Sequence, residues 1–195
     1  ERAAEAVTRI GDFSLNVTNR ITASEVLARG LAAFTPSFDL DATQLVSLLD
    51  SPFAPWAEVV VHHPMPLFHM EHCVIAALLS NGGDHRTCGR PCESHKVSLR
   101  DRARMEHPVE ADVGCRNTVF HARSQSAAGV IERCRELGVR RFRIELVREG
   151  AKDVGAVVEV YRALLEGRLN ALDARRRLRA EGGYGVVTGS LRVVP

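Results

Sequence analysis

The sequence predicts an α/β protein built on a parallel sheet. Three observations lead there. Short β-branched runs alternate with stretches of helical apolar periodicity along most of the chain. Three of the helical stretches carry a cap signal, Asp41 at a start or Gly30 and Gly138 at an end. One central stretch, rich in Cys and His, breaks this rhythm and is too long for an ordinary connection. Strands alternating with helices of this length are βαβ units with right-handed crossovers.

In chain order, Gly11-Asp-Phe-Ser-Leu-Asn-Val17 alternates as a strand does, and residues 22–30 read as a capped helix closed by Gly30. The unit repeats: residues 31–36 form a short apolar strand, and 41–49 a helix behind an Asp41 cap, its apolar face at Leu45, Val46, Leu48 and Leu49. Residues 57–62 are a β-branched run of strand length leading directly into the Cys/His stretch. Beyond it, 117–121 reads as a strand, 125–137 as a helix closed by Gly138, 141–146 as a strand and 152–165 as a helix. A basic helix over 171–180 follows, and Gly182-Gly-Tyr-Gly-Val-Val leads into a last apolar strand. About five units result, short of the eight of a closed barrel. The expectation is one domain over 1–195, an incomplete barrel of parallel βα units, with an inserted segment over 64–116 that has its own strand signal at Lys96-Val-Ser-Leu-Arg100. Open strand edges would then be covered by the tail, by a homodimer or other partner chain, or by barrel strands preceding Glu1.

Composition narrows the classes. The 195 residues suffice for one sizeable core, and 45% apolar with 26% charged residues is ordinary for a globular domain. A net charge of +2 gives no electrostatic footprint for nucleic acid, and the Arg140-Arg-Phe-Arg143 and Arg175-Arg-Arg177 groups read as solvated faces. No apolar run is long enough for a membrane span, and residues 1–7 are too charged for a signal peptide, so the expected location is cytoplasmic.

In a reducing compartment, five cysteines argue for metal binding or catalysis over disulfides. Four of them, Cys73, Cys88, Cys92 and Cys115, share one third of the chain with all eight histidines. Thiolates are soft anionic donors: four complete a tetrahedral zinc site, or supply one ligand to each iron of a cubane 4Fe-4S cluster. Buried thiols without metal are the plainer alternative, and that is the reading for Cys134, set apart in a helical pattern. His69-Met-Glu71 with Pro91-Cys92-Glu-Ser-His95 also resembles the zinc-deaminase arrangement, but that pattern's second cysteine is His95 here and three cysteines would be left idle.

The run His69-Met-Glu-His-Cys73, Cys88-Gly-Arg-Pro-Cys92, Leu99-Arg-Asp101, His107-Pro-Val and Asp112-Val-Gly-Cys-Arg-Asn-Thr-Val119 resembles the signature of the collagenase-like peptidase family of unknown catalytic type. Flanking matches at Gly11-Asp-Phe-Ser-Leu-Asn-Val-Thr-Asn19, Thr35-Pro-Ser-Phe-Asp39, Phe142-Arg-Ile-Glu-Leu146 and Tyr184-Gly-Val-Val-Thr-Gly-Ser-Leu191 extend it over nearly the whole chain. The resemblance implies a TIM-barrel-like fold. It also implies kinship with oxygen-independent hydroxylases that act on RNA pyrimidines or a quinone precursor, take oxygen from prephenate, and hold a 4Fe-4S cluster on four cysteines. Those ligands would be Cys73, Cys88, Cys92 and Cys115.

Around them, Glu71, His69 and His72 are candidates for acid, base or cluster-orienting groups, or for helix capping. Arg86, Arg90 and Arg116 are placed to fork onto the carboxylates of a donor such as prephenate. Asn117 and Thr118 read as substrate contacts or structural hydrogen bonders. A peptidase would need a nucleophile such as Cys92 with His95, and a cysteine serves poorly as both ligand and nucleophile. A noncatalytic, cluster-bearing subunit is the third reading. An RNA base, a quinone precursor, a peptide or another small molecule all suit the sequence as substrate.

Overall fold

The computed structural model describes residues 7–82, 84–181 and 186–191. Its elements run β1 (Ile10–Gly11), α1 (Arg20–Ala28), β2 (Ala33–Phe34), α2 (Ala42–Leu49), β3 (Glu58–Met70), α3 (Val74–Leu79), β4 (Val97–Arg100) and β5 (Glu106–Ala111). There follow β6 (Asn117–Ser126), α4 (Ile131–Glu136), β7 (Arg141–Ile144), α5 (Ala151–Leu165), α6 (Ala171–Glu181) and β8 (Val186–Val187). They fall into two compact units: Glu1–His63 with Gln125–Pro195, and Pro64–Ser124. Residues 1–6 and 182–185, read above as a charged start and as the lead into the last strand, lie outside the described residues.

The first unit is built on parallel strands. β1 pairs with β2, an isolated parallel bridge joins Phe34 to Ala57, and β3 pairs with β7 from Glu58↔Arg141 to His62↔Ile144 across a bulge. One face of these strands presents Phe34, Val59 and Val61 to a core shared with α2, α4 and α5. Helix starts are set by side chains. Asn19 Oδ1 accepts from the Ile21 and Thr22 amides at 3.0 Å. Asp41 and Gln44 form a reciprocal capping box that aims Leu45, Leu48 and Leu49 inward. The strand expected over 11–17 stops at Gly11, because Phe13–Leu15 turns into a 3-10 helix ended by left-handed Asn16. The helix expected over 125–137 is Ile131–Glu136 alone: Gln125 and Ser126 finish β6, and the Ala127 amide bonds Val61 O at 2.9 Å.

The second unit corrects the expectation of an all-parallel sheet. Its strand order is β4-β5-β6-β3, with β4–β5 and β5–β6 antiparallel. Connections of only a few residues leave no room for crossover helices, so hairpins form. His107 is the polar centre of its small core. It is 5% exposed, its Nδ1 accepts from the Ala122 amide at 3.1 Å, and its Nε2 therefore donates to Asp101 Oδ2 at 3.2 Å. The protein is thus mixed α/β. Among the described residues the strands do not close into a barrel, and no helix is long and apolar enough to cross a membrane.

Candidate functional site

The four cysteines all lie in the Pro64–Ser124 unit, each on a differently made turn. Cys73 precedes α3, and its Sγ accepts from the Ala76 amide at 3.5 Å. Asn117, fully buried at the start of β6, donates to that sulfur at 3.7 Å while its Oδ1 accepts from the Val74 amide at 2.8 Å. One side chain thereby ties the first cysteine to the strand that follows the last. Cys88 follows a turn closed by Asp84, whose Oδ1 accepts from the Arg86 and Thr87 amides and from the Thr87 hydroxyl at 2.9–3.0 Å. These bonds, the hydroxyl's foremost, hold the Asp84 carboxyl below its usual range. Gly89 and Arg90 are both left-handed, at φ 69° and 52°, and deliver Cys92 on the 3-10 turn Pro91–Glu93, which packs on α3.

Cys115 sits in the β5–β6 hairpin with φ 63°, a conformation a non-glycine residue keeps only when its surroundings hold it there. Asp112 does the holding. Its Oδ1 accepts from the Gly114 and Arg116 amides at 2.8 and 3.0 Å, and its Oδ2 takes the Arg116 guanidinium at 2.7–2.8 Å. The guanidinium is the main reason the Asp112 carboxyl lies below its usual range.

Cys115 senses the other three thiols of its unit. Loss of solvent raises the Cys115 pKa, and the charges of Cys73, Cys88, Cys92 and Asp112 each raise it further. Residues 42 positions apart in sequence are therefore within electrostatic reach. A thiol whose ionisation is opposed by neighbouring thiolates ionises readily only beside compensating positive charge, which a metal centre supplies. By donor chemistry the set fits a thiolate-bound metal or cluster. Among the described residues no three His, Cys, Asp or Glu side chains converge in ion-coordinating geometry. Cys134 stands apart in the first unit, buried, its thiol pushed up to about 12 by burial.

The other predicted residues divide. His69 is exposed and its Nδ1 meets Thr118 Oγ1 at 2.9 Å, while Glu71 and His72 are exposed just before Cys73. Arg116 is engaged by Asp112, Arg90 pairs loosely with Glu93 at 3.3 Å, and Arg86 is exposed with its backbone amide in the Asp84 turn. His95 Nδ1 contacts Ser94 Oγ and Pro91 O, and among the described residues no hydrogen bond joins it to the Cys92 thiol. The sequence reading passed over Asp84 and Asp112, although Asp two residues before Gly or a backbone donor is a turn signal.

A mixed α/β scaffold with a second compact unit that carries four of the five cysteines defines the class. A family model, peptidase family U32, matches residues 16–181, so the chain belongs to that family. No curated protein and no solved structure matches it.

Proposed function

We propose that Cys73, Cys88, Cys92 and Cys115 hold a 4Fe-4S cluster and that the protein is an oxygen-independent hydroxylase of RNA or of a small aromatic or quinone-type substrate. The observation that supports the metal part is that Cys73, Cys88 and Cys92, from separate turns of one unit, all act electrostatically on Cys115. The hydroxylase part rests on the resemblance of the whole cysteine run to enzymes of that kind, within a family the chain belongs to. When bound, a cluster supplies one-electron redox chemistry. The protein's own contribution is placement: Asn117 fixes Cys73, Asp84 and the left-handed pair Gly89-Arg90 fix the Cys88–Cys92 turn, and Asp112 with Arg116 fixes Cys115. Arg86 and Arg90, both exposed, remain to receive the carboxylates of a donor such as prephenate. His69, Glu71 and His72 stand beside the first ligand as proton carriers or orienting groups.

Anaerobic purification followed by absorbance, iron and sulfide analysis tests this reading. The expected protein is brown, with about four irons and four sulfides per chain. Cys→Ala at any of the four positions bleaches it and Cys134→Ala does not. Stoichiometric zinc without labile sulfide would replace the cluster by a tetrahedral zinc site. The family name favours a peptidase as the second reading. Cleavage of casein that is lost in Cys92→Ala but indifferent to iron removal would establish that reading instead.

A further inference from the structure

The first unit contains a small pocket beside β3, past the carboxyl end of β2. β2 stops at Phe34, which bridges Ala57, while β3 runs on through Val59 to His63 and beyond. Ligands of parallel α/β folds bind outside the carboxyl ends of strands. Leu45 from α2, Val59 from β3 and Leu191 beyond β8 give the pocket apolar walls. Phe38 adds a ring that packs on His63 at 4.2 Å, and Gln125, near the end of β6, adds a carboxamide. The Ser190 hydroxyl ties two of these walls together, donating to Phe38 O at 2.7 Å and accepting from Gln125 Nε2 at 3.4 Å.

Two of the lining groups have bonding capacity to spare. Gln125 is 5% exposed, and among the described residues its carboxamide makes the long bond to Ser190 and no other, so its Oε1 accepts nothing. A carboxamide has two N–H hydrogens and two oxygen lone pairs to satisfy. Ser37 is 8% exposed; its Oγ accepts from the Asp39 amide at 3.4 Å, and among the described residues its hydroxyl hydrogen goes to no acceptor. Polar groups so buried are bonded as a rule, and an exception calls for an explanation. No Asp, Glu, Lys or Arg lines the pocket, so nothing there offsets the cost of stripping water from an ion.

We infer that this pocket binds a small uncharged primary amide carrying a compact, branched apolar group. The apolar group rests on Phe38, Leu45, Val59 and Leu191. The amide N–H donates to Gln125 Oε1, and the amide carbonyl accepts the Ser37 hydroxyl hydrogen. One spare acceptor and one spare donor are thereby both met, which a mostly apolar pocket with a few polar groups uses to fix a ligand's orientation. A carboxylate or an amine would enter as an ion without a counter-charge. A ketone would meet Ser37 and leave Gln125 Oε1 unbonded. The inference concerns the first unit alone and does not rest on what the cysteines hold.

The test is a backbone chemical-shift titration of the intact protein with isobutyramide and with two compounds of the same shape, isobutyrate and methyl isopropyl ketone. Isobutyramide should give saturable shifts at Ser37, Phe38, Gln125 and Leu191 with a Kd below about 10 mM, within reach of so small a ligand. Isobutyrate should bind at least about tenfold more weakly, and the ketone severalfold more weakly. Gln125→Leu, close in size but without the carboxamide, should weaken isobutyramide about fivefold or more, with a melting curve showing that the variant folds. If the variant does not fold, the three ligands on the wild-type protein decide the matter. Absence of saturable isobutyramide binding, saturable shifts confined to other residues, equal affinity for isobutyrate or the ketone, or indifference to Gln125→Leu overturns the site.

Discussion

Single residues carry most of the testable chemistry, and His62 shows how burial sets its sign. It is 4% exposed at the end of the parallel stretch of β3, where its Nδ1 meets Tyr161 Oη at 3.3 Å, and that hydroxyl also meets Ser126 Oγ at 2.7 Å. Burial, opposed by Glu149 and aided by His63, lowers its pKa to about 4. An unfolded histidine titrates near 6.5. As pH falls through that value the unfolded chain takes up a proton that the native state refuses. The contribution is therefore intact above about pH 6.5, is lost between about 6.5 and 4, and changes no further below, in total roughly 3 kcal/mol. Urea unfolding at pH 7 and 4.5 should show His62→Gln losing about 2 kcal/mol less than wild type over that interval; equal losses would mean His62 is protonated in the native state. The arginines offer a second test. Arg86→Lys and Arg90→Lys keep charge but replace a fork by a point donor, so prephenate measured by calorimetry should bind severalfold more weakly with iron content unchanged. Equal affinities would return both to the solvated surface.

Turns and strands fix the placement of the thiols. The hairpin that presents Cys115 depends on Asp112, so Asp112→Ala removes two amide partners and the Arg116 pair and frees a strained φ to relax. Iron occupancy should fall by more than half while the first unit's thermal transition stays in place; undiminished occupancy would show that the cysteines alone hold the centre. This level of structure was only partly legible in the sequence. α2 was readable because cap and apolar face agree, at Asp41 with Leu45, Leu48 and Leu49, and α5 from its length and apolar periodicity. β3 was read to His62, where the β-branched run ends, yet it continues to Met70. β5 was missed because Glu-His-Pro-Val-Glu-Ala carries no β-branched run, its stability coming from the buried His107 and Val109. Local pattern exposed the cysteines as a set. It could not expose Asn117 as the tie to Cys73, since that bond joins partners 44 residues apart.

Over the whole molecule, the two units differ in what stabilises them. The first has an extended core running from Val17 through Phe34, Val61 and Tyr161 to Leu178. The second buries little apolar surface, chiefly Ile75, Val109, Val119 and Ala122, and leaves Phe68, Leu78 and Val113 exposed. A unit of about sixty residues with so small a core sits in the range where natural domains add a staple, a metal centre or disulfides. Its cysteines are all free, so the metal is the staple the proposed function provides. Metal affinity that exists only in the folded unit is folding free energy for that unit. Hydrogen exchange on iron-loaded and iron-stripped protein should therefore show amides of Val74, Cys88, Val119 and Ala122 losing protection by at least tenfold on stripping, while Val61, Cys134 and Val157 keep theirs. Uniform loss across both units would mean that they unfold as one body. No loss in either would mean that the second unit stands on its own core, and that its four cysteines have no share in holding it together.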